Sequence, residues 1–240
     1  MRRCQLILGF TLLLSISVFA QAPKLEEVYD RLDTTQSAIQ YCKLALHEGS
    51  KLRKYNQLED SKEILQKALS VAQKDSLIRY EIAALFEISN VLDMEGNTDE
   101  ALETLTKAVH KTKKEGYFRA GQVYKTMARF LKKQDQLDSA LHYLSLAESW
   151  YLKRPPEQQY YLWSVYDHWH SIYLKFGDLN RAEEYLSKAF SIVQEGDQKI
   201  DRAYVLNRLQ ELALKKGDAE QYARYHKAYY DHMPDNRKQS

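Results

Sequence analysis

The sequence predicts an all-α solenoid of about five helical hairpins, and three observations support this: its composition, an internal period and regularly placed turn residues. The 240 residues include only 8 glycines and 4 prolines, whereas the good helix formers Leu, Ala, Lys, Glu and Gln are abundant. Few helix breakers and many helix formers are typical of long helices joined by short turns. A chain of this length can also bury a substantial core.

A repeat of about 40 residues runs through the chain. Five segments begin a helix and carry two small or medium residues seven positions apart, which places both on one helix face. The pairs are Ser61/Ala68, Ala101/Ala108, Ala140/Ala147, Ala182/Ala189 and, in a degenerate form, Tyr222/Tyr229. Their first members are 40, 39, 42 and 40 residues apart. We therefore expect five copies of one structural unit.

A tight polar turn precedes each of these segments, and a second apolar stripe precedes each turn. Gly and Asn tolerate the left-handed backbone that ends a helix, and Asp or Asn can cap the next one. The stripe follows i, i+3, i+7 spacing, as in Leu85, Ile88 and Leu92, which makes one helix face apolar. Each unit therefore reads as helix, turn, helix, and hairpins of this kind must stack to bury both faces. The turns are Asn56-Gln57, Gly96-Asn97, Asp135-Gln136, Gly177-Asp178 and Gly217-Asp218.

This pattern resembles the tetratricopeptide repeat (TPR) over residues 36–232, most closely in the segments GNTDEALETLTKAV and GDLNRAEEYLSKAF. The resemblance implies a right-handed α-solenoid whose first helices line a groove for protein or peptide partners. The usual repeat has about 34 residues, so a period near 40 predicts about a turn and a half of extra helix per unit. The resemblance covers nearly the whole chain after residue 35, but it implies no catalytic activity.

The two ends of the array depart from the pattern. In the first unit Glu48 interrupts the stripe between Ala45 and Leu52, and AIQYCKLAL also has the pattern of a second helix, so the register there stays open. In the fifth unit tyrosines replace both alanines, which predicts an atypically packed terminal hairpin. We divide the chain into a signal peptide (1–20), an N-terminal extension or cap (21–35), the solenoid (36–233) and a polar tail (234–240).

Residues 1–20 have the organisation of a secretory signal peptide. Arg2 and Arg3 precede an uncharged apolar run from Leu6 to Ala20, and Ala20 ends a plausible cleavage site. The alternative is an uncleaved membrane anchor, but about 15 apolar residues are short for a bilayer span. We therefore predict export to the periplasm or the exterior, with no stable membrane span after cleavage.

The net charge argues against nucleic-acid binding, and the cysteine content argues against a stabilising disulfide. The chain has 35 Lys and Arg against 33 Asp and Glu, and loss of Arg2 and Arg3 leaves 33 of each sign. A neutral chain lacks the basic excess of a nucleic-acid binder. Cys42 is the one cysteine after the signal segment, so it cannot form an intrachain disulfide and is expected to pack as a small apolar residue.

Five basic residues and one asparagine fall on the predicted groove face. A mid-groove cationic site of this kind would suit an acidic peptide or a C-terminal carboxylate. The alternative is a solvated helix face whose lysines bind nothing. The candidate residues are Asn90, Lys125, Arg129, Lys132, Lys133 and Lys175.

Aromatic residues suggest two further contact surfaces. Tyr151, Tyr160, Tyr161 and Trp163 flank Pro155-Pro156 outside the stripes and are candidates for an exposed partner-binding surface. The last helix carries Tyr225, Tyr229 and Tyr230 where a solenoid usually has a polar cap. We therefore expect that helix to support self-association or a partner contact.

No enzyme signature is present: the sequence has no phosphate-binding loop, HExxH, GxSxG or CxxC motif. His168 and His170 are two apart, so on a helix they point in different directions and do not share a metal ion. We expect neither a cofactor nor a metal.

The preferred function is an exported, non-enzymatic scaffold for a protein or peptide. The chain also resembles exported TPR proteins and sensor ectodomains of Bacteroidetes-type bacteria, and this implies the alternative of a sensory part of a split or truncated signalling regulator. An intracellular peptide-responsive regulator and an enzyme with a novel groove site are the remaining alternatives.

Overall fold

The computed structural model describes residues 23–115, 117–194 and 198–232. These residues form twelve α-helices and contain no strand. The predicted signal peptide (1–20) and polar tail (234–240) lie outside the described residues.

Five antiparallel helix pairs follow a short first helix, as the 40-residue period predicts. In each pair the first helix packs against the second across a turn of two or three residues. The first helix, α1, is Leu25–Asp33, and the pairs are α2 (Ala38–Lys54) with α3 (Leu58–Lys74), α4 (Ile78–Met94) with α5 (Thr98–Glu115), α6 (Ala120–Lys133) with α7 (Leu137–Leu152), α9 (Leu162–Phe176) with α10 (Leu179–Gln194), and α11 (Lys199–Lys216) with α12 (Ala219–His232). A four-residue helix, α8 (Pro156–Gln159), lies between the third and fourth pairs. The prediction of an all-α solenoid of five hairpins is confirmed.

All five turns within the hairpins have one geometry. The first residue of each predicted turn pair has a positive φ. Gly, Asn and Asp adopt this left-handed conformation more easily than other residues do. The next residue donates its backbone N–H to a carbonyl five residues earlier, as Gln57 does to Leu52 at 3.0 Å. This is the hydrogen bond of a Schellman helix end. The positive-φ residues are Asn56 (62°), Gly96 (86°), Asp135 (61°), Gly177 (76°) and Gly217 (71°).

The small residues of the second helices allow the two helices of a hairpin to approach closely. Ala101, Ala140 and Ala182 have no exposed surface. In the first hairpin a Cβ added to Gly49 would lie 2.7 Å from Leu65 Cγ, and Ser61 donates a hydrogen bond of 2.7 Å to the Gly49 carbonyl. Contacts this close leave no space for a longer side chain and fix the packing of each pair.

The structure settles the register of the first unit: α2 is the first helix of a hairpin. Glu48, which interrupts its apolar stripe, is 2% exposed and accepts a 2.9 Å hydrogen bond from Arg31 on α1. Val28 and Leu32 of α1 are buried in the same core. The short N-terminal helix thus covers the end of the array and supplies the partner of a buried carboxylate.

The last hairpin is less deeply packed than the others. No described side chain of α12 is buried, and its Tyr225 and Tyr229 pack against the core while half-buried. Tyr230 is 47% exposed. Self-association through this helix stays a prediction.

No helix in the described part of the chain is long and apolar enough to cross a bilayer.

Candidate functional site: a polar groove between stacked hairpins

Polar contacts join the first helix of each hairpin to the first helix of the next. Arg129 on α6 binds two residues of α4, with Nη1 2.6 Å from Asp93 Oδ2 and Nη2 3.0 Å from Asn90 Oδ1. Lys133 Nζ lies 2.5 Å from the other oxygen of Asp93. The Asp93 side chain is only 5% exposed. Burial raises its pKa, but the bonds from Lys133 and Arg129 outweigh this and hold the pKa below its usual value.

These contacts change the interpretation of three predicted binding residues. Asn90, Arg129 and Lys133 lie close together, because Arg129 binds Asn90 and because Arg129 and Lys133 both bind Asp93. Lys175 on α9 is likewise paired, with Nζ 2.8 Å from Asp135 Oδ1. These four residues connect neighbouring hairpins, so their polar groups are already occupied and are poorly placed to bind a partner.

Lys125 and Lys132, the mid-groove lysines, differ from the other cations. Lys125 Nζ donates to Ser164 Oγ and Lys132 Nζ to Ser171 Oγ, both at 2.7 Å. Neither has a carboxylate within 4.0 Å among the described residues. A serine hydroxyl leaves the lysine charge unbalanced, so these two side chains can bind an anion.

The mid-groove lysines are half-buried, and burial affects their protonation. Burial, reinforced by the charge of Arg129, lowers the pKa of Lys125 to about 8, while Asp167 opposes the shift. Burial also lowers the pKa of Lys132. Lys125 therefore titrates within the range in which proteins are commonly assayed.

Asp167 is an acidic residue whose charge acts on both mid-groove lysines. Its buried carboxylate accepts hydrogen bonds from Arg208 Nε and Tyr204 OH on α11, both at 3.2 Å. Burial raises its pKa, but contact with His168 and the charge of Arg208 keep the pKa below its usual value. Asp167 is paired with Arg208, so its charge acts on the mid-groove lysines only as a smaller effect than their burial.

The two histidines have separate roles, as their spacing predicts. His170 is 1% exposed, and its Nδ1 lies 2.9 Å from the Ala182 carbonyl. It is buried in the core and bonds across its own hairpin to α10. Burial lowers the pKa of His168, its contact with Asp167 opposes this, and the charges of Lys125 and Lys132 lower the pKa further. No three His, Cys, Asp or Glu residues in the described part of the chain could hold a metal ion together.

The predicted aromatic surface is divided by the structure. Tyr161 is 57% exposed, Trp163 is half-buried with its ring 5.9 Å from that of Tyr204, and Tyr160 donates to Asp201 on α11 at 2.7 Å. The expectation for Tyr151 is wrong, because this residue is 6% exposed and belongs to the core. A Cβ added to Gly121 would lie 2.7 Å from Tyr151 Cε2, so the glycine makes room for the ring.

The N-terminal cleft is a further feature of the groove that the sequence analysis missed. It has a volume of about 520 Å³ and lies between α2, α4 and the link that joins α5 to α6. Helical periodicity gives no information about residues in the links between hairpins. The run Tyr117-Phe118-Arg119 is nevertheless visible in the sequence as a short cluster of aromatic and basic residues. The cationic and aromatic side chains of its lining include Lys43, Arg79, Phe86, Tyr117, Phe118 and Arg119.

Comparisons with known proteins agree with the repeat. Residues 171–192, which span the turn of the fourth hairpin, match the model of the tetratricopeptide repeat. The chain contains a tetratricopeptide repeat and folds as a TPR-like solenoid. None of the curated proteins compared with this TPR-like chain matches it in sequence.

Three solved structures illustrate the likeness. BtubC (BKLC) from P. vanneervenii has a TM-score of 0.73 at 15% identity, with 87% of this chain and 86% of that chain covered. The quorum sensor NprR from B. thuringiensis has a TM-score of 0.68 at 15% identity, covering 87% of this chain and 58% of NprR. PilF of Pseudomonas aeruginosa has a TM-score of 0.65 at 18% identity, covering 83% and 79%. At these identities the likeness shows the fold alone.

Proposed function

We propose that this TPR-like protein is an exported scaffold that holds an acidic segment of a partner protein or peptide in its groove, without catalysing a reaction. The observation that carries this proposal is the pair of mid-groove lysines. Both are held by serine hydroxyls, both are half-buried, and neither has a carboxylate partner among the described residues.

The spacing and burial of the two lysines favour an extended anionic ligand. Lys125 and Lys132 lie seven residues apart on α6, so their ammonium groups are about two helical turns apart, roughly 10 Å. In a polyproline-II segment three residues complete one turn and span about 9 Å, so carboxylates three residues apart lie on one face and would reach both lysines. The half-buried setting strengthens each charge–charge contact relative to one in water.

The binding proposal is tested by neutralising the two lysines. The Lys125→Met/Lys132→Met variant keeps most of each aliphatic stem but removes both charges. Proteins and peptides retained by the immobilised wild-type protein at low salt are identified, and their affinity for each variant is measured. We expect at least about a tenfold loss, because contacts between charged groups each contribute roughly 1.5–3 kcal/mol.

The matched control is Lys74→Met/Lys153→Met, which removes two exposed lysines without a described ion-pair partner. It should bind like the wild type. Wild-type binding should also weaken as the pH rises through about 8, because Lys125 then loses its proton. Partners that bind both double variants equally would contradict the proposal.

Export is tested separately with residues 1–22 fused to alkaline phosphatase, which is active only outside the reducing cytoplasm. We expect activity from this fusion. The control fusion replaces Leu12, Leu13 and Leu14 with arginines, which interrupts the apolar run and should abolish activity. An inactive wild-type fusion would contradict export and favour the intracellular alternative.

A further inference from the structure

The N-terminal cleft combines cationic side chains with an aromatic wall. Lys43 on α2, Arg79 on α4 and Arg119 in the link before α6 line it and are exposed. None has a carboxylate within 4.0 Å among the described residues. Glu87 also lines the cleft, but Arg53 Nη2 binds it at 3.1 Å. The described lining therefore carries a net positive charge.

Aromatic rings form the other part of the lining. Phe118 is 54% exposed, and its ring lies edge-on to that of buried Tyr117 with centroids 4.9 Å apart. Phe86 on α4 is half-buried and packs against the core. An exposed phenylalanine beside a cleft offers apolar surface that a ligand ring would bury.

The two kinds of side chain are close together. The Arg119 guanidinium lies 5.3 Å from the centre of the Phe118 ring, so a group that contacts Phe118 lies near a cation. A volume of about 520 Å³ is within the usual range for ligand pockets, and it suits an aromatic side chain with its neighbouring residues. α6 contributes Gln122 to the cleft and Lys125, three residues on and therefore on the same helix face, to the mid-groove pair, so one groove contains both.

We propose that the N-terminal cleft binds an aromatic side chain of the partner segment while Lys43, Arg79 and Arg119 bind carboxylates beside it. The ligand is thus a peptide segment in which Phe, Tyr or Trp lies next to Asp or Glu. Charge complementarity selects the acidic residues, and the Phe118 and Phe86 surface selects the ring. This inference rests on the proposed function and names the recognition motif for one part of the same groove.

The experiment is a selection of random phage-displayed peptides on the purified protein, followed by affinity measurements on the most enriched peptide by fluorescence anisotropy. We expect enriched peptides to carry an aromatic residue within two positions of Asp or Glu. Replacing that aromatic residue with Ala, or testing Arg79→Met/Arg119→Met, should each lower affinity at least about tenfold. Lys74→Met/Lys153→Met is the matched control and should change little. Melting temperatures of all variants establish that the protein is folded.

The outcomes separate this inference from the proposed function. If affinity depends on Lys125 and Lys132 but not on Arg79 and Arg119, the cleft assignment is wrong and the groove function stands. If enriched peptides are acidic but lack aromatic residues, the aromatic part of the assignment is wrong. If no acidic peptide is enriched, or binding is insensitive to both double variants, both proposals are wrong.

Discussion

Replacement of Phe130 with Ala should lower the free energy of unfolding by about 3–5 kcal/mol. Phe130 lies on α6 with no exposed surface, among the largest fully buried side chains of the described residues. Its removal loses the burial of a full aromatic ring and leaves a cavity in a closely packed core. The third hairpin is also central, so a loss there weakens its contacts with both neighbours.

Urea denaturation followed by circular dichroism measures this change. Phe118→Ala is the matched control, because Phe118 is 54% exposed and its loss should change stability by less than about 0.5 kcal/mol. Equal destabilisation by the two substitutions would contradict the assignment of Phe130 to the core.

Replacement of Asp167 with Ala should cost about 2–3 kcal/mol, somewhat below the loss from breaking a fully buried ion pair, because Arg208 remains partly solvated. The Asp167 side chain is 9% exposed and that of Arg208 is 23% exposed. The substitution leaves Arg208 and the Tyr204 hydroxyl without this shared acceptor and removes a polar connection between the fourth and fifth hairpins. It also removes the charge that opposes the lowering of the Lys125 pKa, so Lys125 should titrate below about 8.

Two measurements check this prediction: urea denaturation for stability, and the pH dependence of Lys125 carbon chemical shifts for its pKa. Glu211→Ala is the control, because Glu211 contacts the same arginine at 3.4 Å while its side chain is 54% exposed. An exposed pair contributes roughly 0–1 kcal/mol. If both substitutions cost the same, the interhairpin pair is not the stabilising contact described above.

The sequence predicts the hairpins well because the signals for each one are local. Asn56, Gly96 and Asp135 occupy left-handed positions that few residue types tolerate, and the paired alanines recur at fixed distances. The sequence does not determine the register of the first unit, because Glu48 breaks the stripe and its buried position depends on Arg31, a residue 17 positions away on another helix. No local pattern contains that information.

The groove is harder to predict because its chemistry depends on pairs 36–41 residues apart. Sequence spacing identifies Arg129 and Lys132 alike as cations on one face. Only the stacking of hairpins shows that Arg129 is bound to Asp93, whereas Lys132 has a serine partner. Burial of Tyr151 beside Gly121 is also a consequence of tertiary packing. In the groove and at Tyr151 alike, the sequence shows the residue types, but only the structure shows which residues contact them.

The turns within hairpins and the links between hairpins differ in how far their length and sequence can vary. The turn within each hairpin has two or three residues and one hydrogen-bond pattern, whereas the links between hairpins range from the three residues 75–77 to the nine residues 153–161. Those links carry Phe118 and Arg119, which line the N-terminal cleft, and the exposed Tyr161. Under the proposed function, insertions and substitutions there change ligand preference while every hairpin keeps its own fold, so ligand preference and structural integrity can evolve independently.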